Sequence, residues 1–215
     1  MNRTSPSMRP GLMAAVLIAL AGTLPVSNLA AQQQLTKEER EFLVRQLEES
    51  RTGLMKSVED MSATQWTWKP APDRWSASEV AEHLLLTEAM LMGMVNDQVL
   101  KSPPQPEMRT MIAYKDGMLR ARFLDRSWKA QAPEPAQPKG AYPDQDVWSK
   151  ALTEARASTI KWVKSTKDDL RSHVAPFAAF GPLDAYQWAL ILPYHMQRHT
   201  MQIEEVKKAP GYPEK

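Results

Sequence analysis

The chain has 215 residues, with 43% hydrophobic and 24% charged residues, which is the balance of a single globular domain with a real core. It contains no cysteine, which excludes disulfides, thiolate metal sites, iron–sulfur clusters and a thiol nucleophile. The net charge is +2, but Arg3 and Arg9 stand before Gln32 in a stretch without acids. The remainder carries 25 basic and 25 acidic residues, so no basic excess is left to hold nucleic acid.

Met1 to Gly11 carries two arginines, Leu12 to Leu24 is an apolar run, and Pro25 to Ala31 ends in small residues. This is the order of a secretory signal peptide. We therefore expect residues 1–31 to be a cleaved leader and residues 32–215 to form one domain. The apolar run of about 13 residues is shorter than the roughly 20 that span a bilayer, so no stable membrane association is expected after cleavage. The folded part is then periplasmic or secreted.

Seventeen prolines against eight glycines point to helices joined by stiff loops. The first helix is expected from about Thr36 to Met61. Thr36 and Glu39 make a capping box, and Leu35, Leu43, Leu47, Leu54, Val58 and Met61 make one apolar stripe. Gln65 to Trp75 holds three tryptophans and two prolines and reads as a loop. Ser76 and Glu79 form a second capping box, opening a helix to about Leu100. Residues 101–143 contain seven prolines, with room for one short helix within Glu107–Asp125. A third long helix is expected over Asp144–Leu170. The fourth opens near Pro182–Asp184 and runs to about Lys207, with a kink or reset expected at Pro193. No segment alternates with a period of two for long enough to make a sheet. The fold class is accordingly all-α, a four-helix bundle with a long crossover between the second and third helices.

The histidines are the candidates for chemistry. His195 and His199 are four residues apart and project from one helical face, together with Trp188, Ile191, Leu192 and Val206. Buried imidazoles need partners, which a metal or hydrogen bonds would supply. His83 lies on the apolar face of the second helix with Val80, Leu86 and Met90, and inward side chains of two bundle helices can converge. His173 belongs to no stripe and reads as a surface residue. Three neutral imidazoles would suit a divalent metal, with zinc favoured over nickel or iron, and would leave open positions. There is no GxSxG elbow and no Gly-rich phosphate loop.

A Trp–Pro loop, then Trp75-Ser76 before a helix carrying His83, then His195-x-x-x-His199 in the last helix resembles the DinB-like superfamily of four-helix bundles. That superfamily includes YfiT-like metal hydrolases and, more distantly, thiol-dependent S-transferases. The matching stretches are Trp66–Glu88 and Tyr194–Glu205. The resemblance implies a divalent metal held by His83, His195 and His199. It implies a metal-dependent hydrolase or transferase acting on a small molecule. Thiol cosubstrates are less available outside the cytoplasm, and Met196 follows His195, so the HExxH glutamate base is lacking. Candidates to orient the imidazoles are Glu79, Gln202 and Glu88, with capping the stronger role for Glu79. A non-catalytic binding or structural module stays open beside the enzyme. The neutral mature surface does not oppose a homodimer.

Overall fold

The computed structural model describes Met1 and residues 34–215, so the leader read at residues 1–31 lies outside the described residues except for Met1. The chain order is α1 (Lys37–Val58), α2 (Ala63–Thr67), α3 (Ala77–Met94), α4 (Met108–Ile112), α5 (Lys115–Leu124), α6 (Gln145–Ser165), β1 (Val174–Phe177), β2 (Gly181–Asp184) and α7 (Ala185–Lys207). A π-helical turn, Val95–Val99, continues α3, and a 3₁₀ turn, Glu134–Ala136, precedes α6.

Side-chain caps set the helix starts. Thr36 with Glu39, Ser76 with Glu79 and Asp184 with Gln187 each form a reciprocal capping box, and so does Ser62 with Gln65 at α2. Asp144 caps α6 by accepting from the Asp146 and Val147 amides. Pro193 does not reset α7, which runs unbroken from Ala185 to Lys207. Its missing N–H leaves the Ala189 carbonyl without a helical donor.

The four long helices form a bundle with a crossed connectivity. α1 packs on α6 and α7, and α3 packs on the same two, so α1 and α3 sit diagonally. Core composition gives the directions. Leu43 and Leu47 from early α1 share a cluster with Val95 after α3, Val163 from late α6 and Leu190 from early α7. Leu54 and Val58 from late α1 share the other cluster with Val80 and Leu84, Trp148 and Leu152, and Met196 and Ile203. Thus α1 and α7 run one way, and α3 and α6 run the other. Because α3 and α6 are parallel neighbours, residues 101–144 must return along the bundle, about 30 Å at 1.5 Å per residue. α5 lies along α7 on that return. With α1, α3 and α5 all against it, α7 is buried continuously from Ala185 to Tyr194 and is not two-faced.

Four local expectations are corrected. The sequence reads as free of sheet, yet β1 and β2 form an antiparallel hairpin with Val174 opposite Asp184 and Phe177 opposite Gly181. Each strand has four residues and one proline, too short and too interrupted to show alternation. Glu107–Asp125 holds two helices, α4 and α5, instead of one, and the tryptophan loop opens with α2. His173 is half-buried, not on the surface. It bridges to Pro104, and its Nδ1 lies 2.6 Å from the Ser102 carbonyl.

One ion pair crosses the core. Arg156 on α6 is fully buried and its Nη2 lies 2.6 Å from Glu88 on α3, whose other oxygen accepts from Thr159 at 2.8 Å. Glu88 is therefore committed to α6 and does not orient a histidine.

Candidate metal centre

His83 is on the second turn of α3, and His195 and His199 are one turn apart on α7. The antiparallel packing of α3 on α7 brings the early part of one beside the later part of the other. The Nε2 atom of His195 lies 3.0 Å from that of His199 and 3.3 Å from that of His83. One donor atom from each of the three falls within 4.8 Å of the others.

The outer nitrogens decide what these atoms are. Nδ1 of His83 is 2.6 Å from the Ala136 carbonyl, which only accepts, so Nδ1 carries the proton and Nε2 holds a bare lone pair. Nδ1 of His199 is 2.8 Å from Gln202 Oε1, which gives the same tautomer. Two lone pairs are thus aimed at the third imidazole, an arrangement that a shared cation satisfies and a set of neutral hydrogen bonds does not. Two nitrogens on one ion at about 2.0–2.1 Å, with a near-tetrahedral angle, are about 3.3 Å apart, and the separations here fit that geometry.

Electrostatics agree with neutral ligands. Burial pushes the His195 imidazolium well below its ordinary range, helped by the neighbouring His199, His83 and Arg198. Burial and the nearby His83 push His199 down to about 3, against its hydrogen bond to Gln202. Burial also lowers His83, opposed by the Ala136 carbonyl. All three rings are therefore unprotonated near neutral pH, the form in which imidazole ligates a metal.

Aromatic rings wall the site. The Trp75 ring is 5.0 Å from that of His83, and the Phe123 ring is 6.1 Å from that of His195. Trp75, at the end of the segment read as a loop, thus stands against a site residue. Between the two α7 histidines, Arg198 turns to the crossover and donates to the carbonyls of Phe123 at 3.0 Å, Asp125 at 2.6 Å and Trp128 at 2.5 Å. It lies over the Trp128 ring as well, so its charge anchors the end of α5 to α7.

Of the residues expected to orient the imidazoles, Gln202 does so, and Glu79 caps α3 and pairs with Lys69. The partner of His83 is the Ala136 carbonyl, which sequence reading missed because a backbone acceptor 53 positions away has no residue-type signature. An open groove of about 650 Å³ between α1, α5 and α7 has Phe42, Arg120, Tyr186 and Tyr194 in its lining, and none of the three histidines.

The family model described as the DinB superfamily matches residues 46–203, a span that contains all three histidines. The chain belongs to the DinB superfamily. The chain is 22% identical over 160 residues to the uncharacterized protein YuaE of Bacillus subtilis, covering 74% of this chain and 94% of that protein. A solved structure of YfiT from Bacillus subtilis superposes with a TM-score of 0.53 at 14% identity, covering 84% of this chain and 93% of the other. YfiT is described as "a probable metal-dependent hydrolase with an unusual four-helix bundle topology". At that identity the likeness shows a shared fold.

Proposed function

We propose that this DinB-superfamily protein is exported to the periplasm or secreted, holds one divalent metal, zinc by preference, through His83, His195 and His199, and hydrolyses a small molecule there. The observation that carries the reading is the pair of bare Nε2 lone pairs, on His83 and His199, that converge on His195 Nε2. His83, His195 and His199 would hold a divalent ion as neutral ligands, and the ion, left with its full +2 charge, would supply a water whose pKa is lowered toward about 7. The chain's own residues orient the ligands, with the Ala136 carbonyl and Gln202 Oε1 holding Nδ1–H on His83 and His199. Trp75 and Phe123 set aromatic rings beside His83 and His195. The hydrolase assignment is supported by the description of YfiT.

Elemental analysis of the exported protein beside a His195→Ala, His199→Ala double variant tests the metal. About one ion per chain in the native protein and none in the variant is expected. Intact mass of the exported protein tests the leader, and retention of Met1 would overturn cleavage. A second reading, a non-catalytic binding or structural module, draws on one observation. The partners of His83 and His199 are a backbone carbonyl and a carboxamide, which do not serve as a general base. Metal retention without hydrolysis of any ester, amide or phosphoester in a broad panel would favour it.

A further inference from the structure

Glu82 immediately precedes His83 on α3 and is buried, with 3% of its surface exposed. Successive helical residues point about 100° apart, so its carboxylate reaches away from the imidazole. It meets the crossover instead. One oxygen accepts from the Lys139 amide at 2.9 Å, and the other accepts from the Gly140 amide at 2.8 Å and the Ala141 amide at 3.0 Å. Three consecutive N–H groups turned onto one anion form a nest. Gly140 allows it, since its φ of 77° is open to glycine and strained for other residues. No cation pairs with Glu82 in the ion pairs of the described residues, so these amides are what compensates a buried charge.

The same short stretch supplies the acceptor for the metal centre, because Ala136 lies three residues before Lys139. Adjacent residues of α3 therefore grip one strap at two places, Glu82 by its amides and His83 by a carbonyl. Trp66 adds a third hold, donating from Nε1 to the Tyr142 carbonyl at 3.1 Å. We infer that Glu82 is a positioning residue of the metal centre: by clamping the 139–141 amides it keeps the Ala136 carbonyl on His83 Nδ1 and so keeps the His83 Nε2 lone pair free for the ion. The inference rests on the metal reading above for the identity of the ligand. Coupling is reciprocal, so an ion that fixes the same tautomer also tightens the strap.

The test uses the full chain with Glu82→Ala, Glu82→Gln and Gly140→Ala substitutions. In the metal-free protein, ¹⁵N NMR of labelled histidines reads the His83 tautomer. Zinc affinity is then read by chelator competition. Glu82→Ala is expected to give His83 a mixture of tautomers and to weaken zinc binding by roughly 10–100-fold, the range for loss of a group that orients a ligand. Glu82→Gln, which keeps one acceptor oxygen, should fall between, and Gly140→Ala should shift both readouts in the same direction without altering α3. A His83 that stays in its Nδ1–H form with zinc affinity within about twofold of the native protein, in both Glu82→Gln and Gly140→Ala, overturns the inference. These two variants decide it even where Glu82→Ala does not fold. Should the native chain bind no zinc, the metal reading fails, and the tautomer measurement alone then decides whether Glu82 positions His83.

Discussion

Replacing His199 with glutamine in the metal-free protein changes how stability depends on pH. His199 in the unfolded chain titrates at its ordinary 6.5, whereas in the fold burial and His83 hold it down to about 3. A folded pKa below the unfolded one means that the stability contribution is fully present above 6.5. It is lost as pH falls from 6.5 toward 3, because only the unfolded chain takes the proton. From pH 7.5 to 5 the loss from this one group is about 2 kcal/mol, with a slope near 1.2 kcal/mol per pH unit at pH 5.5. Asp184, pushed up to about 6 by burial, acts in the opposite sense, gaining stability as pH falls below 6. Its contribution is common to both proteins and cancels in the difference. Urea unfolding in the presence of EDTA, at half-unit steps from pH 7.5 to 5, gives the two curves. The native protein should lose about 2 kcal/mol more than His199→Gln over that range. Parallel curves would refute the conclusion that the fold holds His199 as a bare, ligand-ready imidazole.

Zinc at 100 times its dissociation constant should raise the unfolding free energy of the native protein by about 2.7 kcal/mol, seen as an upward Tm shift that His195→Ala, His199→Ala abolishes. Glu88→Gln leaves the fully buried Arg156 with an uncompensated charge and should cost about 3–5 kcal/mol in denaturant unfolding. The apolar pair Glu88→Leu, Arg156→Met should recover most of that loss, since two Arg156 nitrogens already lack partners among the described residues. Asp184→Ala removes both the α7 cap and a 2.9 Å contact to Arg171, so chemical denaturation should show a loss larger than the roughly 1 kcal/mol of a cap alone.

The helices themselves were legible because their signals are local. A capping box needs only residues three apart, and Thr36 with Glu39 and Ser76 with Glu79 start α1 and α3 where those pairs predict. The apolar stripe of α1 matches its buried Leu43, Leu47, Leu54 and Val58. The hairpin was not legible, as four-residue strands held by β1–β2 pairing carry too few positions for a period. α7 was legible as a helix but not as a central one, because its burial on three sides comes from α1, α3 and α5, not from its own pattern.

The candidate site divides along the same line. The pairing of His195 with His199 follows from the helical repeat alone, since side chains four apart share a face wherever the helix goes. Membership of His83 was suggested by family likeness and by its apolar stripe, and the antiparallel packing of α3 on α7 is what brings its Nε2 to 3.3 Å from His195. Nothing in residue type marks the Ala136 carbonyl that sets the His83 tautomer, or the 139–141 amides that hold Glu82. Those groups are backbone, identical at nearly every position, and they acquire a role only where the returning crossover lays them against α3.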